Sequence, residues 1–341
     1  MTTPNHSEDQ VTNTDSAMRK VNIGTRRSAL ALVQAEAVLA ALRKSHPNVE
    51  FDLIAMATAG DKNQDTSLSK FGSKALWTQE LETSLLEGSL DLLVHCLKDL
   101  PTQLPPNCEI GCIMEREDPR DVVIMKKGTP FKKLSDLPAG AVFGTSSVRR
   151  NAQIKRLYPQ LACKDIRGNI GTRLNKLDAT DSEYSCLILA AAGILRMGWA
   201  ERITQYLDST TENAHFYAVG QGALAIEVRE GDQKIIDMLS NLADSKSTLA
   251  GTSERSLMRT LEGGCSVPIG VESTWIDKGK LMMKAIVVSL DGKRSVRAER
   301  LDEILDVNDA NEFGLRLAQD LIEKGALLIL DQIKQNRSAV A

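Results

Sequence analysis

Aromatic residues make up only 4% of this 341-residue chain, and histidine occurs just four times. No apolar run approaches the ~20 residues that a helix needs to cross a bilayer. Acidic and basic side chains nearly cancel, 45 against 42, leaving a formal charge of −3. A chain with no cationic excess and few rings to stack on bases is a poor candidate for nucleic-acid binding. The six cysteines (Cys96, Cys108, Cys112, Cys163, Cys186 and Cys265) form no CxxC pair. With so few histidines beside them, no metal site is expected. Their irregular spacing in a long chain also speaks against a disulfide framework. The polar stretch up to about Ala17 has neither the apolar core of a secretory signal nor the arginine-rich character of a mitochondrial leader. These gaps together predict a reduced, cytoplasmic protein with no membrane and no nucleic-acid partner. Nothing asks for an obligate interface, so a monomer is expected.

The length is enough for two or three domains with full cores. Strand and helix patterns alternate from Val21 onward, starting with strand Val21–Gly24 and helix Ala29–Lys44 capped by Ser28. A strand over Phe51–Thr58 leads into a polar stretch, Gly60–Lys74, that has no periodicity and reads as a mobile lid. Helix Leu76–Glu87 and strands Asp91–Cys96 and Glu109–Met114 follow. A second unit repeats the alternation. Its strands fall at Val122–Met125, Ala141–Gly144, Cys163–Ile166 and Cys186–Ala190, and its helices at Ser146–Leu157, Ile170–Asp178 and Ala191–Met197. Gly220-Gln221-Gly222 and the apolar run behind it then return the chain to the first unit.

From about Asp244 the pattern changes to a helix, strands at Ile269–Thr274, Leu281–Ser289 and Ser295–Leu301, and two closing helices. The predicted fold is α/β, with two doubly wound lobes of the periplasmic-binding-protein kind and a smaller α+β C-terminal domain. The expected division is a disordered tail over 1–17, a first lobe over 18–116 plus 218–243, a second over 117–217, and the last domain over 244–341.

Chemistry concentrates in four places. The helix predicted to end at Leu261 runs into Glu262-Gly263-Gly264-Cys265-Ser266-Val267-Pro268, which puts a thiol on a short loop after two glycines. Seven basic residues lie between Arg149 and Arg173 against one acid, Asp165. Ser146, Ser147, Arg149 and Arg150 open a helix after a strand, and Arg167 and Arg173 flank the next strand's end, where open α/β sheets bind ligands. Arginine there favours two-pronged recognition of carboxylate or phosphate. Lys155 and Arg156 read instead as a solvated helix face. In the first lobe Arg26 and Ser28 occupy the same strand-to-helix position. The pair Lys98-Asp99 also follows a strand, and an acid among so many arginines suits stabilising a developing cation or moving a proton. Its other reading is an ion-pair partner that positions an arginine. His95 reads as a core histidine. Gly220-Gln221-Gly222 is too weak a signal to claim a dinucleotide fold.

Together the segments VNIGTRRSALALVQ, HCLKDLPT, VFGTSSVRR, IRGNIGTRLNKL, LAAAGILRMGW, YAVGQGALAIEVR and LEGGCSVP resemble the porphobilinogen deaminase (hydroxymethylbilane synthase) family, in family order from Val21 to Pro268. The resemblance implies a transferase of haem and tetrapyrrole biosynthesis. It would join four molecules of its small-molecule substrate porphobilinogen head to tail, release ammonia at each step, and free hydroxymethylbilane with water. It also implies a dipyrromethane cofactor, covalently bound through Cys265. A thiolate can add to the azafulvene left when a pyrrole loses ammonia, giving a stable thioether. By motif, Lys98, Ser146, Ser147, Arg149, Arg150, Arg173, Gln221 and Gly222 would bind that cofactor. Arg26, Ser28, Arg167 and Arg196 would bind substrate or the growing chain, and Asp99 would be the catalytic carboxylate. Each ring carries an acetate and a propionate, which accounts for the arginines.

Two departures stand out. Cys96 takes the place of a common serine, and it is expected to be inert behind strand packing. Ala57 and Ala59 replace hydroxyl residues in the lid-like stretch. The alternative from another class is a non-catalytic bilobal dicarboxylate-binding protein.

Overall fold

The computed structural model describes residues 20–57, 78–210, 214–261 and 267–338. The expectations placed on the tail over 1–17, on the polar stretch 60–74 with Ala59, and on Cys265 with its two glycines lie outside the described residues.

Two five-stranded sheets carry the first two-thirds of the chain. The first sheet contains β1 (Val21–Arg26), β2 (Phe51–Met56), β3 (Leu92–Cys96), β4 (Cys108–Ile113) and β10 (Leu224–Arg229), in the order β2-β1-β3-β10-β4. The second contains β5 (Asp121–Met125), β6 (Val142–Gly144), β7 (Ala162–Lys164), β8 (Cys186–Ala190) and β9 (Gln205–Leu207), in the order β7-β6-β8-β5-β9. The arrangement is the same in both. Three parallel strands are followed by an antiparallel strand, β10 or β5, whose chain has just crossed from the other lobe. This is the doubly wound, bilobal plan that the alternating sequence pattern implied.

Helices α1 (Ala29–Ser45), α2 (Gln79–Leu86), α3 (Val148–Leu157), α4 (Ile170–Asp178), α5 (Ala191–Arg196) and α6 (Gln233–Leu239) pack on these sheets. The first lobe's main core joins Ile23, Leu92 and Ile226 of the sheet to Val38 and Leu42 of α1. The second lobe has a core on each face of its sheet, one around Phe143 and Ile154 and one around Ile124 and Ile194. Cys108 and Cys112 are both buried on the edge strand β4.

The last domain is a meander of β11 (Ile269–Asp277), β12 (Lys280–Val288) and β13 (Ser295–Glu303), covered by α7 (Ser245–Thr260), α8 (Val307–Glu323) and α9 (Ala326–Ser338). Helices α7 and α8 touch at Gly314, where a Cβ would fall 2.1 Å from the Ser253 carbonyl oxygen. The β12–β13 turn carries Gly292 at φ +77°. It presses on α3, since a Cβ there would lie 2.7 Å from the Arg156 amide nitrogen. This corrects the reading of Lys155 and Arg156 as a solvated face. Arg156 is half-buried, its Nη2 donates to the Ala214 carbonyl, and burial followed by the charge of Arg297 lowers its guanidinium to about 10.

Candidate active site between the lobes

The residues singled out by sequence gather at the carboxyl ends of the parallel strands. In the second lobe Ser147 caps α3, its hydroxyl accepting from the Arg150 amide at 3.4 Å. Ser146 Oγ donates to the Ile166 carbonyl at 2.6 Å, which ties the end of β6 to the segment after β7. Asn169 caps α4, and Arg173 one turn later donates from Nε to the Gly168 carbonyl at 2.8 Å. Arg167 pairs with Asp165 at 3.0 Å. At the end of α5, Arg196 Nη2 donates to the Gly222 carbonyl at 2.7 Å, so the second lobe grips the returning strand. In the first lobe Arg26 ends β1, and Ser28 caps α1 by accepting from the Ala31 amide at 3.3 Å. Helix α1 faces α5 across the cleft, because a Cβ on Gly193 would sit 3.7 Å from Leu30 Cδ2.

Arg149 and Arg150 meet at one buried carboxylate, Asp121. Arg149 Nη1 donates to Asp121 Oδ2 at 2.6 Å and to the Phe216 carbonyl at 2.6 Å. Arg150 reaches Asp121 Oδ1 through Nε at 3.0 Å and through Nη2 at 2.8 Å, and its Nη1 donates to the Ile188 carbonyl at 3.0 Å. Gln221 Nε2 adds a bond to Asp121 Oδ1 at 2.8 Å, and His215 Nε2 another to Oδ2 at 2.8 Å. Burial opposes charge on Asp121, but Arg149, then Arg150, hold its carboxyl well below the usual carboxylate range. His215 is pushed the other way. Burial lowers its pKa against the hydrogen bond to Asp121, so a neutral ring donates through Nε2.

Lys98 and Asp99 stand on a 3₁₀ turn, Leu97–Asp99, that continues β3. Asp99 is exposed and Lys98 half-buried. Two glycines close in on Leu97. A Cβ on Gly220 would lie 2.8 Å from Leu97 Cγ and 3.0 Å from the Lys98 amide nitrogen, and one on Gly251 of α7 would lie 2.9 Å from Leu97 Cδ2. Gly220 also needs its φ of +71°, which disfavours any side chain. Arg255 of α7 donates to the Pro101 carbonyl at 2.7 Å just beyond the turn. The acid is thus aimed by backbone clamped from both sides.

The charges reach one another across the cleft. Burial lowers the Lys98 ammonium, Asp99 opposes this, and Arg150 in the other lobe lowers it further. Burial, then Arg150, bring Arg173 down to about 10. Arg196 is also lowered by burial, with Cys96 and Glu117 opposing. Among the described residues no carboxylate forms an ion pair with Arg173 or Arg196. Arg149 Nε is buried without a partner. Cations short of counter-charge around one exposed acid fit a ligand rich in carboxylates.

Four residues that sequence reading passed over hold this geometry. Asp121 and His215 are the hub described above. Arg116, on the first crossing, pairs with buried Glu254 of α7 through two bonds at 2.6 and 3.1 Å and donates from Nε to the Gln221 carbonyl at 2.8 Å. Glu254 Oε2 also accepts from the Gly220 amide at 2.8 Å. Asp121 opens an apolar strand and Glu254 sits inside a helix, signals too common to single out, while Arg116 lies in the charged run Glu115-Arg116-Glu117-Asp118 and His215 in a loop. His95 is the buried core histidine expected, its Nε2 3.1 Å from Glu227 Oε2 on β10. Cys96 is half-buried, with Gln34 Nε2 3.1 Å from its sulfur, and burial followed by Asp99 raises its thiol pKa.

Residues 21–237 match the family model for the porphobilinogen deaminase dipyrromethane cofactor binding domain, and residues 248–323 the porphobilinogen deaminase C-terminal domain. The chain belongs to the porphobilinogen deaminase family. The porphobilinogen deaminase of Neurospora crassa is 55% identical over 324 residues, covering 94% of this chain and 95% of that protein. That of Saccharomyces cerevisiae is 47% identical, covering 93% and 98%. A periplasmic VFT2 domain of BvgS from Bordetella pertussis superposes with a TM-score of 0.40 at 14% identity, covering 69% of this chain and 92% of that one. Membership of a porphobilinogen deaminase family does not favour the reading as a non-catalytic dicarboxylate binder.

Proposed function

We propose that this chain condenses porphobilinogen, head to tail and four times over, onto a dipyrromethane primer held by Cys265, then releases hydroxymethylbilane by hydrolysis. One observation carries the reading. An exposed carboxylate, Asp99, stands at the mouth of a cleft whose second-lobe arginines Arg173 and Arg196 have no ion-pair partner among the described residues. The cofactor, when bound, supplies the pyrrole carbon to which each new ring is joined.

The chain's own residues then have separate tasks. Lys98, Arg150 and Arg173, with Ser146, Ser147 and Gln221, would hold the primer's acetate and propionate groups. The Gly222 carbonyl, which accepts from Arg196, would fix the crossing strand beside them. Arg149, bound to Asp121 and Phe216, would add charge to the same wall and keep Asp121 in place beneath Arg150. Arg26, Ser28, Arg167 and Arg196 would receive the carboxylates of incoming porphobilinogen or of the growing chain. Asp99 would accept hydrogen bonds from pyrrole N–H groups. Its negative charge balances the positive charge that appears as the aminomethyl carbon expels ammonia, and it can take up a proton as the ring regains aromaticity. We place the enzyme in the cytoplasm as a monomeric transferase. Among the described residues no helix is long and apolar enough to cross a membrane.

Intact-mass measurement tests the reading directly. The purified protein should exceed its polypeptide mass by two linked pyrrole units, and Cys265→Ala should lose that excess together with activity. A bare polypeptide mass in an active preparation overturns it.

A further inference from the structure

On the outer side of the catalytic turn, where the first lobe meets the last domain, an open groove of about 440 Å³ lies away from the arginines of the cleft. One wall is the loop that follows Pro101, with Thr102 and Gln103. The other is α7, with Thr252, Arg255 and Arg259 on one face, and Asn311 of α8 closes the end. The two arginines stand one helical turn apart, a spacing at which like charges destabilise a helix.

Their hydrogen-bond partners are all neutral. Arg255 donates to the Leu100 and Pro101 carbonyls at 3.5 and 2.7 Å. Arg259 donates to the Thr102 carbonyl at 3.4 Å and to Asn311 Oδ1 at 2.8 Å. Among the described residues neither arginine has an ion-pair partner. The acid lining the groove, Glu109, accepts from the Gly231 amide at 2.7 Å. Burial first, and the charge of Arg259 next, lower Arg255 to about 10. Arg259 is itself lowered by burial. The buried Glu227 carboxylate opposes the lowering of Arg255 from a distance, but a guanidinium whose hydrogen bonds go only to carbonyls keeps a charge that no direct ion pair neutralises.

We propose that this groove is a second anion site, which seats a small di- or tricarboxylate against Arg255 and Arg259. The volume falls within the range of small-molecule sites. Two prongs of positive charge one turn apart match two carboxylates better than one. Hydroxyl and amide groups of Thr102, Thr252 and Gln103 share the rest of the lining with Leu104 and, from β4, Cys108, Glu109 and Ile110. Free di- and tricarboxylic acids share this chemistry with porphobilinogen, which carries an acetate and a propionate.

The test uses the holoenzyme and Arg259→Gln, with Arg259→Lys as the variant that keeps the charge. Citrate is titrated calorimetrically at low salt, and rate is followed to high porphobilinogen concentration. Ligand-free melting temperatures are recorded beside both to show that each variant is folded. If free acids occupy the groove, Arg259→Gln weakens one class of citrate sites tenfold or more, Arg259→Lys much less, and KM for porphobilinogen is unchanged. If porphobilinogen itself is the occupant, citrate binding is unaltered but the rate curves of the holoenzyme and Arg259→Gln part at high porphobilinogen concentration. Identical citrate isotherms and identical rate curves in folded Arg259→Gln and the holoenzyme overturn the proposal.

Discussion

Gly220 and Leu97 approach so closely that a methyl group on the glycine would lie 2.8 Å from Leu97 Cγ. The contact joins the strand returning from the second lobe to the turn that bears Lys98 and Asp99. Gly220→Ala must strain a left-handed backbone and push that turn aside, at a combined cost of about 2–4 kcal/mol. The expected result is a lowered melting temperature and a fall in kcat larger than any change in KM. An alanine variant with wild-type melting and turnover would mean that the turn is not held from this side.

Asp121→Asn leaves Arg149 and Arg150 facing each other without their shared counter-charge. Breaking a buried pair in this way costs roughly 3–5 kcal/mol. The variant should melt earlier and carry less of the cofactor mass than the wild type. Replacing Arg150 by Leu should also prevent loading, and normal loading in both would remove the hub from the binding machinery.

Acid should act on the hub in two stages. The pKa of His215 is lowered in the fold, so protons bind preferentially to the unfolded chain once pH drops below about 6.5. The Asp121 carboxyl is also held down, so its stabilisation is complete above about pH 4 and is lost progressively below it. Melting temperature should therefore fall gently from pH 7 to 5 and steeply beneath pH 4. His215→Gln should flatten the first segment alone, and a slope unchanged by that substitution would contradict the assignment.

Asp99 is exposed, and among the described residues its carboxylate forms no hydrogen bond or ion pair, although its charge acts on Lys98 and Cys96. Asp99→Ala should melt as the wild type does, keep the cofactor mass, and lose at least about a hundredfold in kcat, the lower end of what a positioned proton-transfer group contributes. Near-normal turnover would strip the residue of its role.

The described thiols should be poor nucleophiles. Burial raises Cys108, Cys112 and Cys186 to about 12 and Cys163 to about 11, and raises Cys96 too. Labelling with a maleimide at neutral pH should leave all five unmodified until the protein is denatured. Rapid labelling of Cys96 in the native protein would show that its strand opens.

Periodicity located most elements within a residue or two. Helix α4 and strand β8 fall on Ile170–Asp178 and Cys186–Ala190 as expected. Strand β1 runs on to Arg26 because it pairs with β2 over its whole length, a partner that local pattern does not reveal. The short edge strand β9 has too few residues to show alternation, and it went unanticipated. The cleft arginines were legible because they follow strand ends. Their anchor was not, since Asp121 meets Arg149 28 positions later and His215 94 positions later. Likewise the partners Arg116 and Glu254 stand 138 positions apart. Spacing along the chain carries local geometry, whereas a buried ion pair across a crossing is a property of the finished fold.

Strand β10 lies between β3 and β4, and β4 pairs with no other strand in its sheet. During synthesis the first lobe therefore waits, with a gap in its middle, until the whole second lobe has been made and about 230 residues have emerged. The two lobes are woven rather than strung together, so a chain cut between them yields no intact half, and they must reach the native state as one cooperative unit.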